Sequence, residues 1–331
     1  MRVLIVKMSS LGDVIHTLPA VTDAAQALPG ITFDWVVEEA FAEIPAWHPA
    51  VDRVIPIALR RWRKHPVRNF SGSAWREFRQ VLKGKHYDLV IDAQGLLKSA
   101  LVARLLKTPI AGLDKHSARE GIAASAYQHK FAVPREMHAV ERTRQLFADA
   151  LGYTLDGARG NYGVRANLAR HKEKRSRGVM FFHGTARAEK LWPVEHWAEL
   201  LRLADQADYP VWLPWGSDEE KARAGQIVGM AGAGRVLPRL DLLGLASMLL
   251  EVDGAVAVDT GLGHLAAALD VPTVSLYGPT DTALIGAYGE NQVHIQSPIG
   301  PEDTDDPKAM MHAIPAADVW ARLQAVLPQE A

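Results

Sequence analysis

The chain has 331 residues, 48% hydrophobic and 23% charged, with a formal net charge of −1, the profile of a globular protein of about two domains. The absence of cysteine excludes disulfide scaffolds, thiolate zinc sites and cysteine nucleophiles, and the near-zero charge argues against a general nucleic-acid binder. No run approaches the roughly 20 apolar residues of a membrane span, and the apolar stretch Val3-Leu4-Ile5-Val6 is too short for a signal peptide, so the expectation is a cytoplasmic protein.

Short apolar runs alternate with amphipathic stretches, the pattern of parallel-sheet α/β domains. In the first half the runs at 3–7, 32–37, 54–57, 89–92 and 110–112 predict strands, and 13–27, 73–82, 96–106 and 139–151 predict helices. These strands are continuous Val/Ile/Leu runs, as expected when helices cover both faces of a sheet. A polar, Gly- and Arg-rich stretch follows, and the alternation then restarts. Strands are predicted at 178–182, 210–213, 254–258 and 273–277, with helices at 194–205, 219–230, 242–250, 262–269 and 316–327. The expected division is a domain over 1–155, a linker over 156–177 and a second domain over 178–331, whose last helix has the option of packing back on the first domain. In open α/β sheets ligands bind beyond the C-terminal strand ends, so two such domains are expected to face a common inter-domain cleft.

Charge is divided unevenly. Residues 1–160 carry 22 Lys and Arg against 16 Asp and Glu, whereas residues 161–331 carry 15 against 22. An anionic partner is therefore expected at the N-terminal half. The basic run Arg60-Arg61-Trp62-Arg63-Lys64 reads either as a solvated face or as a patch for that ligand.

Four segments could carry chemistry. The first strand runs into Lys7-Met8-Ser9-Ser10-Leu11-Gly12-Asp13, where Asp13 is either a helix N-cap or a general base. In the second domain, Thr185, Arg187 and Lys190 follow a strand and suit a phosphate, though they equally describe a surface loop. Asp259-Thr260-Gly261-Leu262-Gly263-His264 places a glycine turn and a helix N-terminus after a buried strand, which reads either as a ready diphosphate site or as tight strand–helix packing. Finally, one acid of Trp215-Gly216-Ser217-Asp218-Glu219-Glu220 could meet a ribose or simply occupy a helix N-terminus.

Gly261-x-Gly263-x-x-Ala266, with Asp281 about 20 residues on, formally matches a dinucleotide fingerprint and so an NAD-dependent oxidoreductase. That fingerprint belongs in the first strand–helix turn of its domain, and here it comes late. Asp281 also follows Pro279 in a turn-like stretch, not at a strand end. Thirteen histidines include no pair at metal-ligand spacing.

Several further segments carry a family resemblance: Phe33-Asp34-Trp35-Val36-Val37-Glu38-Glu39, Val90-Ile91-Asp92-Ala93-Gln94-Gly95-Leu96, His138-Ala139-Val140-Glu141-Arg142-Thr143, Leu213-Pro214-Trp215-Gly216 and Tyr277-Gly278-Pro279-Thr280-Asp281. With the Ser9–Asp13 and Asp259–Leu262 segments, they make the chain similar over most of its length to the lipopolysaccharide heptosyltransferases. The resemblance implies the GT-B architecture, two Rossmann-like doubly wound domains. It implies an inverting, metal-independent transfer of L-glycero-D-manno-heptose from ADP-heptose to the Kdo of Kdo2–lipid A, or to a different acceptor sugar in a related core enzyme. No cofactor is implied, and contact with the cytoplasmic face of the inner membrane would be peripheral, through the lipid acceptor.

Carried over residue by residue, the resemblance makes Asp13 the general base and has Lys190 stabilise the leaving ADP. Thr185, Ala186, Asp259, Thr260, Gly261 and His264 would hold the diphosphate side, Glu220 the ribose, and Leu240 would lie near the adenine. Lys7, Ser10, Arg60, Arg61, Arg63 and Lys64 would face the anionic acceptor. Ala186 stands where the family commonly has a second Thr, so one hydroxyl contact to phosphate is missing. Beyond about residue 295 the resemblance fades.

Overall fold

The computed structural model describes residues 1–62, 72–169, 177–306 and 308–328. Its contacts divide it into two units, Met1–Asn167 and Leu168–Ala331. Arg63 and Lys64 of the basic run lie outside the described residues.

In the first unit six parallel strands, β1 (Arg2–Val6), β2 (Thr32–Glu38), β3 (Val51–Ile57), β4 (Leu89–Asp92), β5 (Ile110–Leu113) and β6 (His129–Phe131), line up in the order β3-β2-β1-β4-β5-β6. Val3, Leu4, Ile5 and Val6 of the central strand have no exposed surface, which is why the strand is apolar at these four successive positions instead of alternating. The second unit repeats the plan. Strands β7 (Val179–Phe182), β8 (Val211–Leu213), β9 (Arg235–Val236), β10 (Gly254–Val258), β11 (Thr273–Tyr277) and β12 (Gln292–Gln296) are ordered β12-β11-β10-β7-β8-β9, again all parallel. Both are Rossmann orders, whose reversal lies between β1 and β4 in one unit and between β7 and β10 in the other.

The helix expected at 13–27 is two helices, Leu11–Ile15 and Leu18–Ala27. Pro19 lies in the first turn of the second, where its missing N–H is harmless, but it cannot continue the ladder of the first. Three strands escaped the sequence reading: β6, β9 and β12. They are edge strands, short or polar, with largely uncovered side chains.

The stretch expected to be a linker is partly folded. Tyr162 and Val164 are buried, a helix spans Arg165–Ala169, and the Asn167 side-chain amide donates to the Trp47 carbonyl at 2.9 Å. The last helix, Ala316–Val326, has its apolar side in the core of its own unit. Val319, Trp320 and Leu323, with Leu327 just beyond, pack among Val256, Val274 and Leu276 of the sheet. Leu323→Ala would cost about 2–5 kcal/mol.

Candidate active site

The first cluster forms where β1 and β4 end. Lys7 follows β1 directly and is buried. Its Nζ donates to the Ala93 carbonyl at 2.9 Å and lies 3.8 Å from Asp13 Oδ1. Asp13 is not the N-cap of its helix: Ser10 is, and Asp13 sits at the third helical position. From there Oδ2 accepts both the Ser10 backbone N–H, at 2.8 Å, and the Ser10 hydroxyl, at 2.9 Å. One carboxylate oxygen thus fixes the helix start. The other faces Lys7 beyond direct hydrogen-bonding distance, on a side chain about one-third exposed (34%).

Burial pushes the Asp13 carboxyl up, but the Lys7 ammonium and the two Ser10 hydrogen bonds outweigh it and hold the group below the usual carboxylate range. Burial draws Lys7 below the ordinary lysine value, against the opposing pull of Asp13 and Asp92. The loop itself is held from β4. Gln94 Oε1 accepts the Met8 and Ser9 N–H groups, at 2.9 and 3.1 Å, and Gln94 Nε2 donates to the Ser9 carbonyl at 2.7 Å. Asp92, fully buried, accepts from Gln94 N, Gly95 N, Ser99 Oγ and the Tyr127 hydroxyl, anchoring the turn after β4.

Of the basic run, Arg60 and Arg61 are exposed on a short helix, Leu59–Trp62, whose first amides are accepted by Glu38. The Arg60 guanidinium lies over the Phe41 ring, and Arg61 pairs with Glu39 at 3.0 Å. Ser10 is exposed beside Asp13.

The second cluster forms where β7 and β10 end. Lys190 closes a 3-10 turn, Ala188–Lys190, in the loop after β7 and is buried. Its Nζ meets Asp259 Oδ2 at 2.5 Å, and the Thr280 hydroxyl donates to the same oxygen at 2.6 Å. Thr185 Oγ1 donates to the Asp259 backbone carbonyl at 3.0 Å, tying the β7 loop to the end of β10, while Ala186 is exposed. Thr260 is the N-cap of the helix Gly261–Ala268 but makes no side-chain cap bond; His264 is buried one turn further on. Glu220 accepts the Gly216 N–H at 2.6 Å. A Cβ at Gly184 would come within 2.4 Å of Glu220 Oε1, so the Glu220 carboxylate lies directly over the start of the Lys190 loop. Leu240, half-buried, precedes the N-cap Asp241 of the next helix.

Thr185, Lys190, Glu220, Asp259, Thr260 and Gly261 therefore sit together at the switch point of the second sheet, and Lys7, Ser10 and Asp13 at that of the first. The sequence reading missed Gln94 and Thr280, although both lie in the segments that carried the resemblance. Asp281 caps the helix Thr282–Ile285 through the Ala283 N–H, and Gly261 follows the fourth strand of its unit, so the dinucleotide fingerprint has neither its ribose acid nor its place. Among the described residues no group of three or more His, Asp or Glu could hold a metal ion.

Residues 75–312 match the model of glycosyltransferase family 9 (heptosyltransferase). The chain is 56% identical over 298 residues to lipopolysaccharide heptosyltransferase 1 of Pseudomonas aeruginosa, covering 90% of this chain and 84% of that protein. It is 49% identical over 300 residues to the Escherichia coli K12 protein of the same name, covering 90% and 94%. The structure of E. coli heptosyltransferase WaaC with ADP superposes with a TM-score of 0.91 at 45% identity, over 98% of this chain and all (100%) of that one. WaaC with ADP-2-deoxy-2-fluoro heptose gives 0.87 at 44% identity, over 98% and 99%. With its two Rossmann-like parallel sheets, the chain belongs to glycosyltransferase family 9, the heptosyltransferases.

Proposed function

We propose that the protein transfers L-glycero-D-manno-heptose from ADP-heptose to the Kdo of Kdo2–lipid A, with inversion and without a metal. The observation that carries the reading is the Asp13 carboxylate, ionised by Lys7 and Ser10, with one oxygen committed to the helix start and the other uncommitted. Inversion in one displacement needs one base on the attacking face, and a carboxylate already ionised can take the acceptor proton as the C–O bond forms. The leaving ADP is held by the second unit. Lys190, kept in place by Asp259 and Thr280, stabilises the charge that grows on the diphosphate. The backbone around Thr185–Ala186 and Thr260–Gly261, with His264, supplies the phosphate cradle. Glu220 accepts from the ribose and Leu240 packs near the adenine.

Lys7, Ser10 and the basic run from Arg60 to Lys64 attract the anionic acceptor, in keeping with the basic excess of residues 1–160. Because that acceptor is a membrane lipid, the enzyme works as a peripheral protein at the cytoplasmic face of the inner membrane. The deciding experiment is ADP release from ADP-heptose, with and without Kdo2–lipid A, in EDTA. Acceptor-dependent release in EDTA is expected. Donor binding without release would redirect the reading to another acceptor sugar, and release that EDTA abolishes would overturn the metal-free mechanism.

A further inference from the structure

The helix Leu97–Ala103 and the neighbouring 3-10 turn Gly121–Ala126 pack together and leave three large apolar side chains outside. Leu97 is 44% exposed, Leu101 58% and Ile122 65%. Leu97 and Leu101 are four residues apart and share one helix face. Leucines so placed would gain by burial, and among the described residues no element of this unit covers them. Just past the same helix lies a hollow of about 430 Å³, lined by Arg104, Lys107, Thr108, Ser125 and Gln128 and by no carboxylate. Arg104 and Lys107 are exposed and make no ion pair among the described residues.

Residues 95–130 hold six Lys and Arg against two acids, and both acids are engaged locally. Glu120 accepts the Leu97 N–H at 2.7 Å, and Asp114 accepts the Ser117 N–H at 2.7 Å. An apolar patch flanked by uncompensated cations matches a bilayer of anionic lipid, which offers an acyl boundary and a layer of phosphates side by side.

We propose that this face is a membrane-docking surface: Leu97, Leu101 and Ile122 enter the headgroup–acyl boundary, and the hollow at Arg104 and Lys107 takes the phosphate of an anionic phospholipid. The inference rests on the reading that the acceptor is a membrane lipid, and it supplies the surface that reading lacks. It also places the reacting loop. Leu97 is three residues from Gln94, which grips the Ser9 backbone ahead of Asp13, so docking here holds that loop close to the bilayer surface from which a lipid-borne sugar projects.

The test is co-sedimentation of the full chain with acceptor-free phosphatidylcholine vesicles, with and without phosphatidylglycerol, alongside turnover on a deacylated, water-soluble acceptor. The wild type is expected to bind the anionic vesicles. Leu101→Ser with Ile122→Ser, and separately Arg104→Glu with Lys107→Glu, should each lower that binding by about tenfold or more, with soluble-acceptor turnover retained. Wild-type protein that fails to bind anionic vesicles, or two double variants that bind as the wild type does, would overturn the docking surface. Should one pair lose soluble-acceptor turnover as well, the other pair decides. Vesicle binding by a wild type that turns over neither acceptor form would instead count against the acceptor reading, so the two failures are distinguishable.

Discussion

Gln94 and Ser9 are hydrogen-bonded in both directions: the Gln94 amide donates to the Ser9 carbonyl, and its side-chain oxygen accepts the Ser9 and Met8 N–H groups. A single buried side chain at the end of β4 therefore fixes the backbone that leads from β1 to Asp13. Replacing Gln94 by Met keeps the volume and removes all three bonds. Since a misplacement of about 1 Å can cost about 100-fold in rate, Gln94→Met is expected to lower kcat by roughly 10- to 100-fold. ADP-heptose affinity, assigned to the other unit in the proposed mechanism, should stay unchanged; isothermal titration with the donor separates the two effects. A variant with full kcat would mean that the loop holds its shape without Gln94.

In the proposed mechanism Asp13 carries two duties on two oxygens, and one substitution divides them. Asn keeps an oxygen that can accept the Ser10 N–H, so Asp13→Asn should preserve the helix start. It removes the base, so turnover is expected to fall about 100-fold or more, with donor binding intact. Near-normal turnover would reduce Asp13 to its capping duty.

The charge state of Asp13 makes a pH prediction. Its carboxyl is held below the usual value of 3.8, so Asp13 stays ionised across the neutral and mildly acidic range and its acid limb lies below that value. The ionised form also stabilises the fold above the unfolded-state pKa, a contribution lost as pH falls through the lower folded-state value. Lys7→Met removes the leading attraction and leaves burial, which acts upward, as the largest influence. The acid limb of kcat should therefore move to higher pH in Lys7→Met, with activity partly recovered as pH is raised. A profile displaced uniformly downward, with no change of shape, would assign Lys7 to acceptor binding alone.

The central strands of both sheets were legible in the sequence because burial on both faces makes them unbroken apolar runs; Val3–Val6 and Gly254–Val258 are the plainest cases. The edge strands His129–Phe131, Arg235–Val236 and Gln292–Gln296 were not, since they are short or polar and carry no such run. Asp13, Thr185 and Lys190 could be named because they follow strands that were read correctly. Their supports could not. Gln94 and Thr280 act through bonds spanning 85 and 21 residues, and neither residue type at those spacings signals a contact. The capping geometry was likewise not legible: the sequence offers Asp13 as an N-cap, but the N-cap is Ser10, three residues earlier, with Asp13 at the third helical position.

In the proposed donor site, Lys190 and Asp259 illustrate how an anion can belong beside a bound diphosphate. A carboxylate at the mouth of a diphosphate cradle repels the ligand unless its charge is compensated, and here Oδ2 takes both the Lys190 ammonium and the Thr280 hydroxyl. Asp259 thus orients Lys190 and need not touch phosphate. On that argument Lys190→Ala does double damage, losing the cation and exposing Asp259, and kcat should fall about 100-fold, with a smaller loss of ADP affinity. Asp259→Asn should be milder, because the ammonium remains though less firmly aimed. Combined with Lys190→Ala it should restore part of the lost ADP affinity by removing the uncompensated charge. The double-mutant cycle is then non-additive by roughly 0.5–3 kcal/mol, as for residues in direct contact. Single-turnover rates and ADP titrations on the four proteins measure it, and strict additivity would show that the two side chains act independently.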